Sequence, residues 1–351
     1  MPAKYELVYE TISDQIEAGI LKAGDKLPDE NTLAAKFGVS LITIRRAMTD
    51  LADAGLIRRV RGKGSYVNPP KADTLPREKV IAFMLNHGNS TAVHITRIVS
   101  GVHDVLAAHG YGLMVQWDTA DATLTQESVN RMLANRVEGF IIYPYDPLKD
   151  TPRYDYLKSI GVPYVLLDRY DFRRHDPYVG SNDFMGGRLA ARQFLEYGHT
   201  ATGCVMNLDF LSSEQERVSG FLQEMRTAAV VPEPLILKSS KISELIPVIK
   251  EKGITALFCV SDRIATVTAK TLMAGGMDVP GDISIIGFDD CQYDYDLNLP
   301  LSSVRQDFTG IGKTAAEKLL RFISNPEAEG QTHTLLDVEM IVRTSSLKML
   351  K

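Results

Sequence analysis

Cysteine is scarce in this chain: Cys204, Cys259 and Cys291 are three in 351 residues, widely spaced and odd in number. That usage excludes a zinc ribbon and a disulfide framework, and it points to buried free thiols in a reducing compartment. No apolar run approaches the roughly 18 residues of a membrane span. The first residues, MPAKYELVYE, lack the basic-then-apolar build of a secretory leader, so a cytoplasmic protein is expected. Phosphate-cradling GxxxxGK[ST], zinc-binding HExxH and the nucleophile elbow GxSxG are all absent. No catalytic residue, metal or cofactor is therefore expected. Low-complexity tracts and internal repeats are missing too. What is present is a globular composition, 44% apolar and 24% charged, with a formal net charge of -5. The length suits two or three domains.

The stretch Leu27 to Val67 organises the rest. Asp29 is placed to cap a short helix over 30–37, and Gly38-Val39-Ser40 makes a tight turn in which Ser40 caps a second helix. In that helix Ile44, Ala47, Met48 and Leu51 fall at i, i+3, i+4 and i+7, which predicts one buried face. Thr43, Arg45, Arg46 and Thr49 are left pointing outward. Two short strands follow, joined by the turn Arg61-Gly62-Lys63-Gly64. Helix, turn, helix and basic hairpin predict a winged helix-turn-helix whose second helix enters the DNA major groove. Between Gly38 and Val67 there are six basic residues (Arg45, Arg46, Arg58, Arg59, Arg61, Lys63) against Asp50 and Asp53. A basic strip on an acidic protein is the footprint of a phosphate-binding surface.

From Tyr5 to Val67 the chain resembles the DNA-binding domain of GntR-type regulators, through LPDENTLAAKFGVS, TIRRAMTDLADAGLI and RGKGSYV. The resemblance implies DNA contacts from Ser40, Thr43, Arg45, Arg61, Gly62 and Lys63, with Arg46 beside them on the outward face. Asn31 and Leu41 stand where many members carry arginine. Leu41 can neither make an ionic phosphate contact nor read a guanine.

After the wing, 69–78 holds Pro69, Pro70 and Pro76 without apolar periodicity, the pattern of a semi-rigid linker. Beyond it, apolar runs such as 80–85, 139–143, 163–168, 203–207, 256–260 and 284–288 alternate with helical patterns such as 96–109, 186–197, 213–227 and 263–274. Continuous apolar strands separated by helices predict parallel sheets covered on both faces. About nine such units exceed one simple domain, so two doubly wound lobes with a ligand cleft beyond the carboxyl ends of the strands are expected.

This body resembles the effector domain of lactose-repressor-type regulators, itself similar to periplasmic sugar-binding proteins. Seven ordered segments carry the resemblance, among them VEGFIIYPY, VPYVLLDR, VGSNDFMGGRLAARQFLEYGH, ERVSGF and VPGDISIIGFDD. A GntR-type head on such a body resembles the arabinose repressors in particular. The resemblance implies that the chain crosses between lobes three times, near 169–172, 300–303 and 324–335. It also implies effector contacts from Asp168, Arg169, Arg217, Asp262, Asp289 and Gln306, with capping of the following helix as the rival role of Asp262. Ser181 and Ser261 replace an Asp and an Asn that many relatives use, and the loop 86–89 lacks the aromatic pair on which relatives stack a sugar ring. Trp117, Tyr145 or Phe210 are the candidates for that surface, and His87 and His94 for a hydrogen bond to a hydroxyl.

The expectation is thus an α/β protein: a winged helix-turn-helix over 1–68, a linker over 69–78 and a two-lobed effector-binding and dimerisation domain over 79–351. Its implied partners are double-stranded operator DNA, a second copy of the chain and a small sugar, a pentose such as L-arabinose, and no membrane. A sugar-converting enzyme and a transport-type binding protein are the alternatives that would use the same cleft.

Overall fold

The computed structural model describes residues 4–69, 79–86, 93–118, 126–144, 146–207, 211–291, 297–325 and 332–347. The chain divides into two compact units, Met1–Arg77 and Glu78–Lys351. Pro70 and Pro76 lie outside the described residues, as do His87, Tyr145 and Phe210.

In the first unit, α1 (Lys4–Glu17), α2 (Glu30–Phe37) and α3 (Leu41–Asp53) precede a hairpin of β1 (Ile57–Val60) and β2 (Gly64–Val67). The caps read from the sequence are in place. Asp29 accepts from the backbone of Asn31 and Thr32, Gly38 is left-handed at φ 62°, and Ser40 accepts from Thr43 N. The apolar face of α3 packs with Val8 and Ile12 of α1, Leu33 of α2, and Ile57 and Val67 of the hairpin. Burying that stripe fixes the orientation of the opposite, polar face.

The second unit holds two six-stranded sheets. The first lobe contains β3 (Lys79–Asn86), α4 (Val93–Ala108), β4 (Tyr111–Asp118), α5 (Gln126–Ala134), β5 (Val137–Tyr143), α6 (Thr151–Ser159), β6 (Tyr164–Leu167) and β7 (Tyr178–Ser181). The second lobe contains α7 (Asp183–Glu196), β8 (Thr202–Met206), α8 (Ser212–Thr227), β9 (Leu235–Lys238), α9 (Ile242–Glu251), β10 (Ala256–Cys259), α10 (Asp262–Ala274), β11 (Ser284–Asp289) and β12 (Ser302–Gln306). Then α11 (Phe308–Ser324) and β13 (His333–Leu336) return to the first lobe, and β14 (Val338–Ile341) to the second. The strand orders are β13-β7-β6-β5-β3-β4 and β14-β12-β11-β10-β8-β9. All pairs are parallel except β14, which runs antiparallel to β12. Strands β5, β6, β8, β10 and β11 are buried almost throughout, as helices on both faces require. All three cysteines are buried and unpaired.

The three crossings differ in place from the sequence expectation. They lie at Asn182, between β7 and α7; at Asp307, between β12 and α11; and at Asp337, between β13 and β14. Residues 169–172 stay in the first lobe and 300–303 in the second, because β6 and β7 share one sheet and β12 pairs with β11. The crossings are tied to one another. Asn182 N donates to Leu336 O at 2.8 Å, and Ser181 Oγ donates to Gln306 Oε1 at 2.6 Å. Asp307 caps α11 by accepting from Gly310 N.

Each lobe also contains one helix pair held at backbone contact by glycines. A Cβ on Gly101 of α4 would overlap Thr309 O, and one on Gly312 of α11 would overlap Ile98 O. Gly187 of α7 and Gly220 of α8 stand in the same relation to Arg217 O and Phe184 O.

Candidate functional site

Two surfaces carry chemistry, one in each unit. In the first unit, Thr43 is partly exposed on α3, and Arg45 and Arg46 are exposed, as are Arg61, Gly62 and Lys63 at the hairpin turn. Ser40 and Thr43 hydrogen-bond through their hydroxyls at 2.8 Å at the start of α3. Gly62 adopts φ 74°, a conformation that favours glycine, so the turn can be tight and free of side-chain bulk. Two arginines are less free than their exposure suggests. Arg45 donates to Glu30 of α2 at 2.9 Å, and Arg46 stacks over the ring of Tyr5, 3.7 Å from its centroid. Arg59 reaches back from β1 to Arg45 O, tying the hairpin to α3.

In the second unit, five of the six residues implied for the effector come together. Asp168 and Asp289 sit at the carboxyl ends of β6 and β11, at φ 62° and φ 114°. Positive φ is uncommon outside glycine, and such backbone clusters at binding sites. Arg217, on the second turn of α8, is the hub. Its Nε donates to Asp183 Oδ1 at 2.7 Å and its Nη1 to Val260 O at 2.7 Å. Asp289 lies 3.6 Å from Nη1 and Asp168 3.8 Å from Nη2. The guanidinium stacks on Phe288, 3.9 Å from the ring centroid. Arg169 Nε is 3.2 Å from Asp168, and its Nη1 donates to Pro144 O. Gln306 Nε2 donates to Asp289 at 2.7 Å. Since Gln306 also accepts from Ser181, the cluster runs directly into the first two crossings.

Asp262 is placed elsewhere. Its Oδ1 accepts from Ser303 Oγ and its Oδ2 from Cys291 N, both at 2.7 Å, so both oxygens are occupied, while burial and then the nearby Asp289 carboxylate push its pKa up. Nor does it cap α10: Ser261 does, accepting from Ile264 N, since the residue before the helix has the extended backbone a cap needs.

Two further members of the cluster are not evident in the sequence. Asp183 and Tyr143 read as a helix-start acid and a strand aromatic, and only the fold turns them inward. Tyr143 Oη donates to Asp168 at 2.8 Å. His94 is 3.4 Å from that hydroxyl and stacks on Phe308 at 4.9 Å. Burial pushes the His94 imidazole down to about 4, so it is neutral near pH 7. Burial alone would raise Asp168, yet Arg169 and Arg217 outweigh it and keep its carboxyl below the ordinary range. Burial raises Asp183 and Asp289 to about 7, with Arg217 opposing the rise and the neighbouring Asp168 carboxylate adding to it. The arrangement offers planar donors and acceptors at neighbouring angles, suited to adjacent hydroxyls of a small polar ligand. Trp117 is partly exposed on the edge strand β4. Among the described residues no group of His, Cys, Asp and Glu could hold a metal, and no helix is long and apolar enough to cross a membrane.

Residues 4–67 match the family described as bacterial regulatory proteins, gntR family, and residues 191–346 match the periplasmic binding protein-like domain. The arabinose metabolism transcriptional repressor of Geobacillus stearothermophilus is 26% identical, over 98% of this chain and 97% of that protein. Its namesake in Halalkalibacterium halodurans is 24% identical, over 99% and 97%. Among solved structures, a LacI family transcriptional regulator from Enterococcus faecium with bound ribose superposes with a TM-score of 0.66 at 23% identity, covering 77% of this chain and 100% of that one. The lac repressor dimer bound to operator and the anti-inducer ONPF gives 0.66 at 19% identity, over 78% and 95%. At these identities the structural likeness establishes the two-lobed fold of the second unit.

Proposed function

We propose that this chain, which joins a gntR-family winged helix to a periplasmic-binding-protein-like body, is a transcriptional repressor of sugar-utilisation genes. It binds operator DNA as a homodimer and is released by a small sugar. One observation carries the effector half: Asp168, Arg169, Asp289 and Gln306, at the carboxyl ends of strands from both lobes, meet Arg217 of α8 and connect, through Gln306 and Ser181, to two of the crossings between the lobes. A sugar that pairs with these groups stabilises one lobe angle over another. Such coupling typically amounts to about 1–3 kcal/mol, roughly 5–150-fold in operator affinity. A pentose, L-arabinose first, is favoured by the names of the two full-length relatives and by the ribose-bound neighbour. The cluster is assigned to binding and not to turnover, because a signal must leave unchanged to be reversible.

A thermal-shift screen of the full chain against pentoses, hexoses, sugar acids and nucleosides tests the effector. A chemically altered ligand recovered after incubation would point instead to an enzyme. Arg169→Ala separates sensing from DNA reading. It removes one side of the polar grip and leaves the other ligand partners unpaired, at a cost of about 1–3 kcal/mol. Calorimetry should show at least about a tenfold loss of effector affinity, or about 1.4 kcal/mol, with operator affinity unchanged. Parental sugar affinity in this variant would remove Arg169 from the site.

For the DNA half, Lys63 at the hairpin tip is assigned to the phosphate backbone. Lys63→Ala should weaken binding to all sequences alike and flatten the salt dependence by about one unit of slope. Low-salt titrations that give the parental affinity and slope would exclude a contact from the hairpin tip.

A further inference from the structure

The first turn of α3 has an unusual surface. Ile42 is 79% exposed and Leu41 39%, side by side at the start of the helix. Ile42 forms an i, i+3, i+4, i+7 row with Arg45, Arg46 and Thr49, opposite the buried row Ile44, Ala47, Met48 and Leu51. An isoleucine centred on the polar face contributes nothing to the core of this unit, and a β-branched residue is a mediocre helix former. Its surroundings indicate its partner. Exposed Arg45, Arg46, Arg59, Arg61 and Lys63 belong to the same small unit, which favours a polyanion over an apolar protein face.

In the DNA major groove the one apolar group that a base presents is the C5-methyl of thymine. We propose that Ile42 reads a thymine methyl in each operator half-site, supplying sequence selectivity where Leu41 has no ionic or hydrogen-bonding group to offer. Arg45, three residues on and anchored by Glu30, lies on the same face to hold the helix in register with the phosphates or bases beside that thymine. The proposal rests on the DNA-binding reading above.

The test uses the full chain. Preferred duplexes are selected from a random pool, and each thymine of the consensus is replaced in turn by deoxyuridine, which deletes only the methyl. One position per half-site should lose about fourfold in affinity, the factor matching the ~0.8 kcal/mol of one buried methylene. Ile42→Ala should bind the thymine and deoxyuridine duplexes equally while melting like the parent, since the side chain is exposed. If no thymine is methyl-sensitive in the parent, the proposal falls and the DNA-binding reading stands. Sensitivity that survives Ile42→Ala but disappears in Leu41→Ala overturns the assignment to Ile42. Failure of the parent to select any sequence overturns the DNA-binding reading itself.

Discussion

Replacing Arg217 with methionine is expected to lower the unfolding free energy of the second unit by about 3–5 kcal/mol, the usual cost of removing one partner from a buried ion pair. Arg217 is 5% exposed, and its guanidinium faces Asp183, Asp168 and Asp289. Burial disfavours its charge, yet those three carboxylates outweigh that effect and hold its pKa above the ordinary value. Methionine fills much of the volume and keeps contact with Phe288, but it leaves Asp183 without its 2.7 Å donor and Val260 O without its partner. Trp117 is the only tryptophan and lies in the second unit, so its fluorescence follows urea unfolding of that unit apart from the head. Adding Asp183→Asn to the methionine variant should restore part of the loss, because it replaces a buried carboxyl that has lost the donor favouring its ionised form. A cost below about 1 kcal/mol for Arg217→Met would mean that solvent or rearrangement satisfies these carboxylates, and that the hub described here does not hold the site.

The second large effect is expected from a single methyl. Gly187→Ala places a Cβ that overlaps the carbonyl oxygen of Arg217 and meets Phe221 N at 2.8 Å. Both obstacles are backbone atoms of α8, so no side chain can swing aside, and the two helices must separate. Overpacking of this kind costs about 1–3 kcal/mol, occasionally more, and the upper end is expected here. Because α8 carries Arg217 and α7 carries Asp183, separation also lengthens their 2.7 Å bond. Effector affinity should therefore fall together with stability. Ser219→Ala, on the exposed side of the same helix, should change neither. Parental stability and affinity in Gly187→Ala would show that the α7–α8 spacing is not what sets Arg217.

Much of this architecture was legible in the sequence because it rests on local rules. Asp29, Gly38 and Ser40 each act on backbone within three or four residues, so the turn between α2 and α3 followed from residue type alone. The buried row of α3 and the apolar strands β5, β8, β10 and β11 are periodic or continuous, and periodicity is what a single sequence displays best. β12 was not visible as a strand. Ser302-Ser303-Val304-Arg305-Gln306 has little strand character, and its buried hydroxyls are satisfied only by remote groups, Ser302 by Arg343 N and Ser346, and Ser303 by Asp262. The edge strands β13 and β14 are half-exposed and short, and their place follows from pairing with β7 and β12.

By itself, then, the sequence determined the helix-turn-helix, the alternation of strands and helices, and the pool of charged residues at strand ends from which a site is made. The tertiary structure alone decided which of those charges meet. Asp183 and Arg217 are 34 residues apart and become partners because Gly187 and Gly220 let two helix backbones touch. Asp262 has the same chemistry as Asp289 and opens the helix just beyond β10, yet Cys291 N and Ser303 Oγ take both its oxygens. Where the lobes join was also decided at this level, since the sheet that a strand enters depends on the free edge that it finds. Such pairings depend on distances across the fold, and residue spacing along the chain does not encode them.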